Sequence, residues 1–243
     1  MAAQESITSI KYSANKVFVY SNAYMSIEPK KDTDMEYVFS FKKKNDVQTK
    51  YLIQSLYKNG LMLEELTDSE DEINYSIKIT SSIETLVNFH ERNLKLLSYL
   101  NVLNMMLQIG EQIKNMEENN VTVPYIDINN IIVIDENKYI LLDSELIEIR
   151  ENKIQIVKPY KKGFLFSDEL HNIVSLPSSM YSNNWIYSLG LTAIYLLTGE
   201  TKLQDKDRRH YEILIENIIY TKLYFMIMRC LEKNHSERIY IYI

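Results

Sequence analysis

Through the first eighty residues apolar and polar positions mostly alternate, the pattern of half-buried strands. "SITSIKY", "KVFVYS", "YMSIE", "EYVFSFK", "LMLEEL" and "INYSIKI" are each expected as strands between turn-like breaks. One window has helical spacing instead. "DVQTKYLIQSLYKNG" runs from Asp46, a good N-cap, to Gly60, a good C-terminal stop, with Val47, Tyr51, Leu52, Leu56 and Tyr57 on one side. From Ser81 the period changes. "SSIETLVNFHE" predicts a short helix, and residues 93–120 predict a long one, apolar on more than one face, as in a helix that runs through a core. Residues 185–198 and 211–231 predict two further helices, after a loop-rich interval at 145–184. The expected fold class is α+β: a strand-rich part with one helix over residues 1–80, a helical part over 81–243, and a cleft near residue 80.

One stretch of the second part does not read as helix. In "YIDINNIIVIDENKYILLDSE", residues 125–145, two short apolar runs flank the turn-forming Glu136, Asn137 and Lys138, which predicts a β-hairpin. Asn130 precedes its first strand and Asp143 closes its second. An antiparallel pair would therefore bring two oxygen-bearing side chains together at one end.

Composition narrows the function classes. With 243 residues, 46% of them hydrophobic, the chain can bury a sizeable core without staples. Its single cysteine, Cys230, excludes an internal disulfide framework and a multi-cysteine zinc site, and fits a reducing, intracellular compartment. Cys230 lies in an apolar helical run and reads as a buried structural thiol. A net charge of −6 argues against nucleic-acid binding, which needs a basic field. "MAAQESITS" lacks the features of a signal peptide, and the apolar run from Trp185 is too short to span a bilayer, so no membrane association is expected. The acidic "DSEDE" at 68–72 lacks the glycine and terminal glutamate of a calcium loop. His90, His171, His210 and His235 have no metal-ligand spacing and read as surface or capping residues.

The order of elements and several motifs resemble the protein kinases. The hairpin is similar to the stretch from the catalytic-loop Asn to the D-F-G motif, with Asn130 and Asp143 thirteen residues apart. The resemblance implies that these two would ligate magnesium on the phosphates of ATP. "WIYSLGLTAIYLLTGE" resembles the D-x-W-S-L-G helix, with Trp185 in place of an aspartate that holds the catalytic loop, so a loop without its brace is expected. "FLFSDEL" resembles the A-P-E region and "RCLEKNHSERIYIYI" the C-terminal signature that ends in arginine, so Glu169 and Arg238 would form a structural ion pair. Only five residues follow Arg238, and the last helix of the family is expected to be absent. "FSFK" resembles V-A-I-K and proposes Lys42 as the phosphate-binding lysine, with Lys43 or Lys44 as register alternatives. The implied fold is a two-lobed protein-kinase-like domain with a strand-rich N-lobe and a helical C-lobe.

Other parts of the phosphotransfer apparatus are missing. No acid lies between Asp46 and Glu64 to pair with Lys42, and no glycine precedes Lys42 to form a phosphate flap. Tyr125 stands where the family's catalytic aspartate belongs, and a phenol with an ordinary pKa near 10 is a poor base at neutral pH. Asp127 is the one nearby carboxylate that would substitute, if the loop were shorter. Ser144 and Glu145 replace the Phe and Gly after Asp143. The pattern reads as a pseudokinase that engages a protein partner as a binding or scaffold module, with weak or no ATP and magnesium binding. Two alternatives stand beside it: an active atypical serine/threonine kinase using Asp127, Asp143, Asn130 and Lys42, and a structural component of a larger assembly. Richness in Ile, Asn, Lys and Tyr resembles small kinase-like proteins of large DNA viruses, which would place the protein in host cytoplasm or virion.

Overall fold

The computed structural model describes residues 18–33, 35–42, 46–58, 60–68, 72–78, 82–142, 145–161 and 163–240. Strands β1 (Tyr20–Ser21), β2 (Met25–Pro29) and β3 (Glu36–Lys42) precede helix α1 (Asp46–Lys58), and β4 (Leu63–Asp68) and β5 (Glu72–Lys78) follow it. They form one antiparallel sheet in the order β1-β2-β3-β5-β4. Its register sets Met25 opposite Phe41 and Ile27 opposite Phe39, so the period-2 pattern puts all four on one buried face. Leu52 and Leu56 of α1 belong to the same core, whereas Tyr57 on the expected apolar face is exposed.

The second part opens with a strand where sequence predicts only helix. β6 (Ile83–Thr85) leads directly into α2 (Leu86–Arg92), because the Thr85 hydroxyl accepts from the Asn88 N–H and starts the helix there. The long helix is shorter than its apolar pattern. α3 (Tyr99–Glu117) begins after Ser98, whose Oγ accepts from the Asn101 N–H, while Leu94 and Lys95 take left-handed backbone conformations that end any helix before it. β7 (Val121–Thr122) then leads to the hairpin of β8 (Ile131–Ile134) and β9 (Lys138–Leu141), with Asp135 and Glu136 both left-handed at its turn.

Three short strands and a short helix lie within the interval expected to be loop-rich: β10 (Ile147–Glu148), β11 (Lys153–Ile156), α4 (Asp168–His171) and β12 (Ser178–Tyr181). β10 pairs with β7 and β11 with β12. α5 (Asn184–Thr198) is buried along most of its length. The single helix expected over 211–231 is broken into α6 (Arg208–Leu214) and α7 (Lys222–Cys230), where Tyr220 adopts a left-handed backbone and the Thr221 hydroxyl caps the second helix.

The hairpin joins two cores. Ile132, Ile134, Ile140 and Leu142 belong to the sheet core, and Ile131, Val133, Tyr139 and Leu141 to the larger helical core. Alternate positions face opposite ways along a strand, so two runs apolar at every position are what a doubly covered hairpin requires. Gly190 lets α5 approach α7: a Cβ there would stand 2.9 Å from the Cys230 Cβ and the Leu231 Cγ. The Cys230 thiol is buried and pushed up to about 12 by loss of solvent, so it stays protonated and inert. Among the described residues no helix is long and apolar enough to cross a membrane.

Candidate functional site

A cleft of about 290 Å³ opens where the sheet, the loop before β8 and the segment after β11 meet. Asn22 enters it from the β1–β2 turn, Tyr125, Asp127 and Asn130 from the loop, and Lys158 and Tyr160 from the segment. The loop is held from below. Contrary to the expectation drawn from Trp185, the Ile126 N–H donates to Ser188 Oγ at 2.9 Å, and both residues are buried. Ser188 lies one turn beyond Trp185 on α5 and supplies the brace instead. Trp185 is fully buried, and its Nε1 donates to Glu117 Oε1 at 2.8 Å.

Tyr125 stands in the cleft wall as part of an aromatic cluster. Its ring lies 5.4 Å from Tyr160 and 4.5 Å from Phe166, and the cluster continues into Ile154, Ile156, Leu170 and Met180. Asp127 caps a 3-10 turn at Ile128–Asn130: its Oδ1 accepts from the backbone N–H of Asn129 at 2.9 Å and from Asn129 Nδ2 at 2.8 Å. One oxygen of the carboxylate is thus engaged in shaping the loop.

Asn130 is fixed through its backbone and engaged through its side chain. Its N–H donates to the Asp127 carbonyl at 2.9 Å and its carbonyl accepts from the Leu142 N–H at 2.6 Å. Its Oδ1 accepts from the Tyr20 hydroxyl at 2.9 Å, and that hydroxyl accepts from Asn22 Nδ2 at 3.0 Å. Asp143 and Ser144, like Lys43 and Lys44, lie outside the described residues.

Lys42 ends β3 exposed, and it is not among the described residues that line the cleft. Its Nζ donates to the Ala23 carbonyl at 3.0 Å, and its own N–H to the Tyr24 carbonyl, so both ends of the residue are tied to the β1–β2 turn. Two lysines line the cleft, Lys158 and Lys161, and Lys158 pairs with Glu145 at 2.6 Å. A hard divalent cation needs several oxygen ligands free to converge. The described donors fall short of that need: Asn130 has one side-chain oxygen, which already accepts from Tyr20, and Asp127 has Oδ1 committed to Asn129, which leaves one carboxylate oxygen. No group of three or more His, Cys, Asp and Glu among the described residues could hold a metal ion.

Glu169 and Arg238 meet away from the cleft. Arg238 Nη2 donates to Glu169 Oε1 at 2.7 Å, and the arginine side chain is 1% exposed against 34% for the glutamate. The guanidinium also reaches Asn184 Oδ1 and the carbonyls of Glu232 and Lys233, and it lies 4.7 Å over the Tyr187 ring. The pair ties α4 to the segment after α7 and has no part in the cleft. Tyr20, Asn22, Tyr160, Lys158 and Ser188 were not singled out as site residues in sequence. Hydrophobic periodicity marks which face is buried and carries no signal for which polar partner a side chain meets across 110 positions, as Tyr20 and Asn130 do. No protein-family model matches this chain, and no curated protein matches it either.

Proposed function

We propose that the chain is a pseudokinase: a two-lobed, kinase-like protein that binds another protein as a scaffold or regulator and transfers no phosphate. The observation that carries this reading is Tyr125. A phosphotransferase needs a carboxylate there to orient the acceptor hydroxyl, and the side chain present is an aromatic ring packed on Tyr160 and Phe166. Lys42 spends its ammonium on Ala23, and α1 has no glutamate to draw it toward a phosphate. The kinase-like half of the reading is supported by the five-stranded sheet with one helix, the hairpin shared by two cores, and the meeting of Glu169 with Arg238. With the transfer site lost and that framework kept, the surfaces of the two lobes are what remains to act.

The test is phosphate transfer from magnesium-ATP to a generic serine/threonine acceptor, run beside a thermal shift with the same nucleotide. A ligand present at about 100 times its Kd stabilises a protein by about 2.7 kcal/mol, enough to move the melting temperature measurably. The expected result is no transfer. Transfer that disappears in Asp127→Asn would overturn this reading and establish the active atypical kinase.

A further inference from the structure

The contact between Tyr20 and Asn130 joins residues from opposite sides of the cleft, and both of its ends are immobilised. On the sheet side, Asn22 Oδ1 accepts the backbone N–H groups of Tyr24 and Met25, each at 2.8 Å, and the Asn22 N–H donates to the Met25 carbonyl at 2.9 Å. The amide of Asn22 is therefore held by its own turn, which leaves Nδ2 directed at the Tyr20 hydroxyl. A phenol oxygen that accepts in this way points its hydrogen onward, here at Asn130 Oδ1. Tyr20 is 7% exposed and belongs to the sheet core, so it has little freedom to swing aside. On the loop side, the backbone bonds of Asn130 to Asp127 and Leu142 fix where Oδ1 stands.

We propose that Asn22, Tyr20 and Asn130 form a latch that holds the sheet down on the loop and weakens the entry of magnesium-bound nucleotide into the cleft. This inference rests on the kinase-like reading of the cleft and adds to it the means by which the site is kept shut. Magnesium would have to come within about 2.1 Å of an Asn130 oxygen. The hydrogen already directed at that oxygen repels a cation. Opening requires both hydrogen bonds of the chain to be given up together, because turning the phenol away from Asn130 also disturbs its bond from Asn22. A closed and an open arrangement of the same lobes follow, with the latch biasing the balance toward the closed one.

Tyr20→Phe removes the hydroxyl and keeps the ring in the core. Magnesium-ATP titrated calorimetrically should bind this variant roughly five- to tenfold more tightly than the parent, the scale of one part-buried hydrogen bond. Backbone amides of residues 20–27 should exchange with deuterium faster in the variant. Asn22→Ser keeps an oxygen for the turn but loses the donor, and should move both readouts the same way by less, which preserves the test if Tyr20→Phe fails to fold. Equal binding by parent and variants, or no binding by any of them, overturns the latch. Tight binding to a Tyr20→Phe protein that also transfers phosphate would overturn the pseudokinase reading alone, whereas equal binding without transfer overturns the latch alone.

Discussion

His90 is 1% exposed, its ring lies 4.7 Å from that of Tyr195, and its Nε2 has no hydrogen-bond partner among the described residues. Burial holds its imidazole below the ordinary value, opposed by nearby backbone carbonyls and Glu91 and assisted by Lys95. The folded protein thus keeps His90 neutral where the unfolded chain, with an ordinary histidine pKa of about 6.5, takes up a proton. The unfolded state binds more protons in that window, so stability is full above about pH 6.5 and falls as pH drops, by at most about 1.4 kcal/mol per pH unit. Urea midpoints measured at near-neutral and mildly acidic pH should therefore differ more for the parent than for His90→Gln, and equal slopes would show that His90 does not titrate differently on folding. His90 is expected from sequence as a surface or capping residue, and the structure corrects this, since a histidine on an apolar helix face looks the same in sequence whether it is buried or capping. Glu169 and Arg238 were legible because a buried guanidinium without a carboxylate costs several kcal/mol, so joint presence at matching positions is informative. Trp185 misled for a physical reason: the buried N–H of Ile126 needs an acceptor, and the side chain supplying it, Ser188, is one turn away on the same helix.

At the scale of elements, β9 is the outer strand of its three-stranded sheet, and α3 covers its unpaired edge with side chains in place of a strand. Gln112 Oε1 accepts from the Leu141 N–H at 3.0 Å and its Nε2 donates to the Leu141 carbonyl at 2.6 Å. Gln108, one turn earlier, does the same for the Tyr139 N–H and the Asn137 carbonyl, at 2.6 and 3.0 Å. Gln112 is buried, so Gln112→Met, similar in length and without polar atoms, strands a donor and an acceptor away from water. The expected loss is about 2 kcal/mol or more in urea unfolding, with Gln108→Met costing less because that contact is more exposed. An equal, small effect of both would mean that water satisfies the edge. These glutamines explain why α3 read as apolar on more than one face while still carrying two amides inward. β3, the hairpin and α5 were legible because each satisfies its own period and length. The ends of α2, α3 and α7 were not, because Thr85, Ser98 and Thr221 act as caps only where the preceding chain leaves the helical region, and the apolar pattern runs through those points unbroken.

For the whole molecule, the decisive arrangement is that one hairpin supplies side chains to both cores. Ile140 faces the sheet core and Leu141 the helical core, one residue apart on β9 and each with no exposed surface. Neither core can lose the hairpin without exposing the apolar face that the other uses, so the sheet and the helices are expected to unfold as one cooperative unit. Truncation of a buried isoleucine or leucine to alanine costs about 2–5 kcal/mol. Ile140→Ala and Leu141→Ala should then each shift a single transition, and native-state hydrogen exchange should show amides of β3 and α5 losing protection by the same amount in either variant. Separate domains on a linker would respond differently: Ile140→Ala would weaken β3 alone and Leu141→Ala α5 alone, with two transitions in urea. The latch and the hairpin hold the same boundary with unequal strength. The hairpin binds the loop to both cores at a cost of several kcal/mol to break, whereas the latch adds the lesser strength of a short hydrogen-bond chain at the cleft's mouth. If the latch governs opening of the cleft, β1 and β2 are expected to tilt over a hairpin that stays in place, and Tyr20→Phe should speed exchange in β1 and β2 while amides of β8 and β9 keep their protection.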